Sequence, residues 1–326
     1  MAGETTPVQP ARQIGFLGCW ALAVGSMIGS GVFMLPTVLA PYGLLSFGGW
    51  LLTSVGSILL VITIGRLAGR TTRSGGLQVY VQDVFGTKAG FLVAWVFWTG
   101  SWIATATVSV AFVGYLGVLF PALNSQPLYQ QAIALAAIWG FTLVSIRGVK
   151  DANFVQIITT LLKLLPLIAV IALAMVMGKG SNLPPLNPSG KSVFTALAMS
   201  SAVAMFAFTG FENALVPAAS VKNPQRTVPR AVTVGLISVA IIYIIASGAV
   251  MLLVPMDVLK NSTAPFADAA RGFGAWGPAA ITIGALVSTA GFMNGNIFVT
   301  GQVAMAAAHI RYGKSEVSDV TSIRNV

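Results

Sequence analysis

No charged residue occurs between Arg12 and Arg66, and inside that stretch lies the glycine-rich run VGSMIGSGVF, which begins at Val24. An apolar segment of about 20 residues is enough to cross a bilayer. Glycine, however, weakens a helix by about 1 kcal/mol relative to alanine, and Gly25, Gly29 and Gly31 fall close together here at mid-membrane depth. Irregular backbone at that depth survives only where protein buries it or where it lines a watery cavity. The first span is therefore expected to be a broken helix whose bare N–H and C=O groups hold a substrate. The plainer alternative is close helix packing, since the three glycines include a small-xxx-small spacing.

Composition fixes the class. Of 326 residues, 56% are hydrophobic and 8% charged, against roughly 25% charged in a soluble domain. The net charge of +10 resides in short segments between apolar runs, which suits membrane orientation and not nucleic-acid binding. Eight spans are expected, at about 14–40, 44–67, 89–120, 127–146, 152–177, 192–219, 230–254 and 277–308, with a short amphipathic helix over 75–88 at the inner face. With the N-terminus in the cytoplasm, the inner segments carry Arg12, Arg66, Arg70, Arg73, Lys88, Arg147, Lys150, Lys222, Arg226, Arg230, Arg311, Lys314 and Arg324. The outer loops carry only Lys179, Lys191, Lys260 and Arg271. That bias places the chain in the cytoplasmic membrane with its N-terminus inside. The single cysteine, Cys19, excludes an internal disulfide, and the single histidine, His309, offers no metal site. No cofactor motif and no catalytic constellation is present, so an enzyme is not expected.

A second interruption, FAFTGFEN from Phe206, lies in the sixth span. Two broken helices five spans apart suggest an inverted repeat with a substrate site at the repeat interface. Free N–H groups at one half-helix start attract a carboxylate, and free C=O groups at another half-helix end attract an ammonium. Together they fit a zwitterionic amino acid. Glu212 is the only acid inside an expected span, and such residues mark ion or substrate pathways; a purely structural carboxylate is the alternative. Lys163 is the only base well inside one, Arg66 and Arg230 falling at span ends. Its ammonium needs acceptors, which the broken first helix can supply, and snorkelling is the alternative. Trp98, Trp102 and Thr105 share a face of the third span, next to Trp95, Gly100 and Ser101. They form either an aromatic wall beside the site or a packing face.

Three motifs carry a family resemblance: Gly29-Ser30-Gly31-Val32-Phe33 with Leu35-Pro36, then Phe208-Thr209-Gly210-Phe211-Glu212 leading to Val221–Pro229, and Gly301-Gln302 with Ala306–Ala308. Over residues 12 to 308 the chain resembles the amino acid–polyamine–organocation (APC) superfamily, nearest its basic amino acid/polyamine antiporter branch. The resemblance implies an all-α integral membrane protein with a LeuT-type inverted-repeat bundle, helices 1 and 6 broken. It implies a cytoplasmic tail over 1–13, a transporter domain over 14–308 and a polar tail over 309–326. The first five-helix repeat would cover about 14–177 and a partial second repeat about 192–308.

The implied function is secondary transport of amino acids or related amines, by exchange or proton coupling, by a protein that partners the lipid bilayer and is a candidate homodimer. Substrate would touch Ser26, Ile28, Gly29, Ser30 and Gly31 of the first break, and Phe206, Ala207 and Thr209 of the second. Ser101, Thr105 and Asn296 would complete the site. The carboxylate would sit on the Ser30 and Gly31 amides, and the amine near the Ile28, Phe206 and Thr209 carbonyls, with Phe206 as an aromatic gate. Lys163 would stand where some relatives hold sodium, and Glu212 would serve gating or protonation. Phe206, Thr105 and Asn296 depart from the arginine exchanger's residues, which leaves neutral and cationic substrates both open. Relatives usually have twelve spans, so a truncated or frameshifted end is expected, with a native short form as the alternative. A non-transporting fragment or interaction subunit is the competing functional reading.

Overall fold

The computed structural model describes residues 13–70 and 74–312. The regular elements among these residues are helices, joined by short loops. The first span is split into α1 (Phe16–Met27), a 3-10 turn (Gly31–Met34), α2 (Leu35–Leu39) and a second 3-10 turn (Ala40–Tyr42). There follow α3 (Leu45–Ala68), α4 (Leu77–Phe85), α5 (Thr87–Leu119), α6 (Pro127–Arg147) and α7 (Val149–Met177). Next come α8 (Val193–Phe206), α9 (Pro224–Leu253), the short α10 (Met256–Leu259) and α11 (Pro265–Ala269), and α12 (Gly277–Tyr312). Seven helices among the described residues are long and apolar enough to cross a membrane, and the first span, bent by 44° at its break, makes an eighth.

Most expected boundaries lie within a few residues of the observed ones, and the exceptions have local causes. The sixth span is helical only to Phe206. The seventh starts at Pro224 and not near residue 230, because Asn223 takes up a left-handed φ of 47° and Pro224 occupies the first turn. Proline costs nothing at a position whose N–H has no helical acceptor, while Pro229 is carried inside the helix. α12 runs on to Tyr312, past the expected end at 308. Gly148, at φ 133°, makes a one-residue corner between α6 and α7. Residues 1–12 with Arg12, residues 71–73 with Arg73, and residues 313–326 with Lys314 and Arg324 lie outside the described residues, as do the His309 and Arg311 side chains.

α1 occupies the centre and packs against α7, α9 and α12. Nine of its residues, among them Ala21 to Met27, are buried. α6 buries none of its residues, and rows of large apolar side chains such as Leu51, Val55 and Leu59 on α3 face outward. A soluble protein would not present such rows; a bilayer accommodates them. Among the described residues, one isolated parallel bridge ties Ile14, two residues ahead of α1, to the segment ahead of α9: the Ile14 N–H donates to Ser220 O at 3.0 Å, and the Lys222 N–H to Ile14 O at 2.8 Å.

Candidate functional site

The first break sorts its polar groups by kind. The carbonyls of Gly25, Met27, Ile28 and Gly29 have donors within reach. Lys163 Nζ donates to Gly25 O at 2.8 Å and to Ile28 O at 2.7 Å. Ser288 Oγ lies 3.1 Å from both Ile28 O and Gly29 O, and the Tyr243 hydroxyl donates to Met27 O at 2.9 Å. The amides are not taken: among the described residues, the N–H groups of Ser30, Gly31 and Val32 meet no acceptor. They open the second half of the span, where peptide dipoles favour an anion. Gly31 is exposed with open space where a Cβ would stand, and Gly29 packs against the Phe292 ring at 3.4 Å.

The Ile28 carbonyl, expected near a substrate amine, already has donors from the protein. A carbonyl has two lone pairs; Lys163 takes one on Ile28, and the single Ser288 hydroxyl proton is shared between Ile28 O and Gly29 O. Lys163 is wholly buried at α7 and has no acidic partner among the described residues. It continues a polar stripe on α7: Gln156 Nε2 and Thr160 Oγ1 donate to Ala21 O at 3.3 and 3.0 Å, and Asn294 Nδ2 donates to Gln156 Oε1 at 3.1 Å. Gln156, Thr160 and Lys163 share one helical face and meet Ala21, Gly25 and Ile28, which share one on α1. Lys163→Met is expected to lower stability by about 2 kcal/mol, since the Gly25 carbonyl would lose its donor. Thermal unfolding in detergent measures this, and an unshifted midpoint would deny the lysine a holding role.

The second break offers the opposite polarity. α8 stops at Phe206, and Gly210 adopts φ 113° before a 3-10 turn over Phe211–Leu215. Thr209 Oγ1 donates to Phe206 O at 2.8 Å, and the Gly210 N–H donates to Glu212 Oε2 at 2.9 Å. The carbonyls of Ala207 and Thr209 receive no donor among the described residues. Phe206 O is already engaged by Thr209, and the Phe206 side chain is 73% exposed. The two breaks touch through backbone: a Cβ on Gly210 would lie 2.6 Å from Ser26 O. Ser26 Oγ is buried beside this contact without a partner among the described residues.

Ser101, Thr105 and Asn296 come together, but on one another. Asn296 Nδ2 donates to Ser101 O at 2.5 Å and to Thr105 Oγ1 at 2.9 Å, and Asn213 Nδ2 reaches Asn296 Oδ1 at 3.4 Å. All are buried. Their donors join α12 to α5 and to the second break, which leaves them little to present to a ligand. The tryptophans stack along α5, with Trp95–Trp98 centroids 5.7 Å and Trp98–Trp102 6.4 Å apart. Trp95 and Trp102 face outward, so the row is a packing and boundary face, not a cavity wall. Sequence reasoning missed Ser288, Tyr243, Gln156 and Thr160. Only the last two carried a signal, as polar residues at helical spacing ahead of Lys163.

A family model described as amino acid permease matches residues 14–312. The chain is 29% identical over 307 residues to the cadaverine/lysine antiporter of Escherichia coli (strain K12), covering 92% of this chain and 67% of that protein. It is 30% identical over 257 residues to the putrescine transporter PotE of Haemophilus influenzae, covering 78% of this chain and 59% of that one. The chain thus spans roughly two thirds of the length of these relatives or less. Among solved structures, Mhp1, a nucleobase-cation-symport-1 family transporter in a closed conformation with bromovinylhydantoin bound, superposes with a TM-score of 0.64 at 12% identity, over 94% of this chain and 73% of that one. That last likeness concerns the fold alone.

Proposed function

The chain belongs to the amino acid permease family, and we propose that it carries an amino acid or related amine across the plasma membrane by exchange or proton-coupled transport. It is a multi-pass integral membrane protein of a transporter family, not of an enzyme family. In this reading the bundle is a LeuT-type inverted repeat with its first and sixth spans broken, divided near residues 177 and 192, and the N-terminus is cytoplasmic. Assembly as a homodimer belongs to the same reading.

One observation carries the proposal. Unpaired amides of one break, at Ser30, Gly31 and Val32, stand opposite in polarity to unpaired carbonyls of the other, at Ala207 and Thr209, and the breaks are in backbone contact at Gly210. An α-amino acid matches that pair of half-sites, carboxylate to the first and ammonium to the second. Relatives named for cadaverine, lysine and putrescine support a substrate with at least one amine. Exchange of radiolabelled lysine against unlabelled lysine, cadaverine or alanine in proteoliposomes tests it directly. Counterflow with any of these supports the reading, and its absence from a folded sample would remove it.

Glu212 has a separate test. Its carboxylate holds the Gly210 amide at the contact between the breaks, so gain of a proton there would loosen the turn. Glu212→Gln, neutral at every pH, is expected to flatten a several-fold change in exchange rate between pH 5 and 8. A profile that keeps its shape in the variant would assign the residue a structural role.

A further inference from the structure

A groove of about 470 Å³ runs between the end of α3 and the start of α9, lined by Arg66, Gln225, Arg230 and Thr233 at one end and by Ile62 and Val234 at the other. Successive spans alternate in direction, so this is the end of the bundle that also carries Arg147, Lys150, Lys222 and Arg226. The ion pairs among the described residues, Lys260–Asp257 and Arg271–Asp268, use neither Arg66 nor Arg230. Two exposed guanidiniums therefore border one concavity with their charge uncompensated. Arginine binds phosphate oxygens in a fork, and this geometry suits it better than lysine would.

The rest of the groove points to what covers it. From Arg66, α3 presents Ile62 and Leu59 on one face, and from Arg230, α9 presents Val234, Ile237 and Ile241. All five apolar side chains are outward-facing, with Leu59 62% and Ile241 53% exposed. The helices close on each other behind this seam, where a Cβ on Gly65 would stand 3.3 Å from Pro229 Cβ. The result is an amphipathic channel on the bundle surface, cationic and hydrogen-bonding at the membrane–water boundary and apolar along the bilayer. Its charge and its apolar track are complementary to one kind of molecule. We infer that this groove holds an anionic phospholipid, its phosphate between Arg66 and Arg230 and an acyl chain along Ile62, Leu59, Val234 and Ile237. Basic clefts between membrane helices are suited to anionic head groups, each basic residue near the surface adding to the attraction.

Native mass spectrometry of the full chain in neutral detergent tests the site, with dioleoyl-phosphatidylglycerol, dioleoyl-phosphatidylcholine and inorganic phosphate as probes. One retained phosphatidylglycerol is expected, with neither of the other probes retained. The pair Arg66→Ala with Arg230→Ala should weaken its retention at least about tenfold. The pair Arg147→Ala with Lys150→Ala removes the same charge from the same end and should change it by less than about twofold. Val234→Trp, which keeps the charges and blocks the apolar track, should also weaken it. Equal losses in the two charge pairs would overturn the site in favour of diffuse attraction. Phosphate held as tightly as the lipid, or full retention in Val234→Trp, would overturn the lipid as occupant.

Discussion

Gly31→Val is expected to abolish substrate binding while the protein still folds. Nothing lies within 4 Å of the Cβ that valine would add, and Gly31 does not use a left-handed φ. The backbone thus asks for no glycine there; only the occupant of the space would. Valine's branches would stand over the free amides of Ser30, Gly31 and Val32, where the proposed carboxylate docks. Hydrogen bonds to a charged acceptor contribute about 1.5–3 kcal/mol each, so losing two corresponds to a drop in affinity of at least about a hundredfold. Equilibrium binding of labelled lysine, paired with a thermal unfolding curve, measures both halves of the statement. Cadaverine, which lacks the carboxylate, should lose much less. Lysine binding within threefold of the parent would place the carboxylate elsewhere.

Gly210→Ala should do the reverse and damage the fold itself. Here the residue sits at φ 113°, a conformation that costs a residue with a side chain about 1–3 kcal/mol. Space compounds the problem: the added Cβ would lie 2.6 Å from the carbonyl oxygen and 2.8 Å from the carbonyl carbon of Ser26. Those are backbone atoms and cannot rotate aside, so the two breaks would have to separate. A loss of about 4 kcal/mol is expected, which corresponds to roughly 10 °C in the unfolding midpoint. Gly100→Ala is the control, since its Cβ meets nothing within 4 Å in the middle of α5. If Gly210→Ala unfolds no earlier than Gly100→Ala, the breaks do not depend on their contact.

The apolar spans and both interruptions were legible because each is a local property: about 20 residues without charge, or glycine where helix is expected. Lys163 was legible too, since a lone ammonium in a span must find carbonyls and a broken helix frees some. Pairing between distant spans was not legible. Ser101, Thr105 and Asn296 were expected at the site from the family resemblance. Their positions on α5 and α12, 191 residues apart for Thr105 and Asn296, hid the fact that they satisfy each other. The donors that meet Ile28 O were hidden for the same reason, as Ser288 lies 260 residues along the chain. The break told which groups were freed, but not which had already been claimed.

The centrality of α1 also sets a timetable. It leaves the ribosome before any of the other spans described here, yet every group that completes it arrives late: Thr160 and Lys163, then Gly210 and the bridge at Val221, then Tyr243, and last Ser288. At about 5–20 residues per second, the interval from Ile28 to Ser288 is on the order of tens of seconds. Lipid offers no donors in the meantime. The newborn first span must therefore wait in a wet or sheltered place, at the interface or against the insertion machinery, until its later neighbours are made. The most deeply packed part of the finished protein is, during synthesis, its most exposed liability.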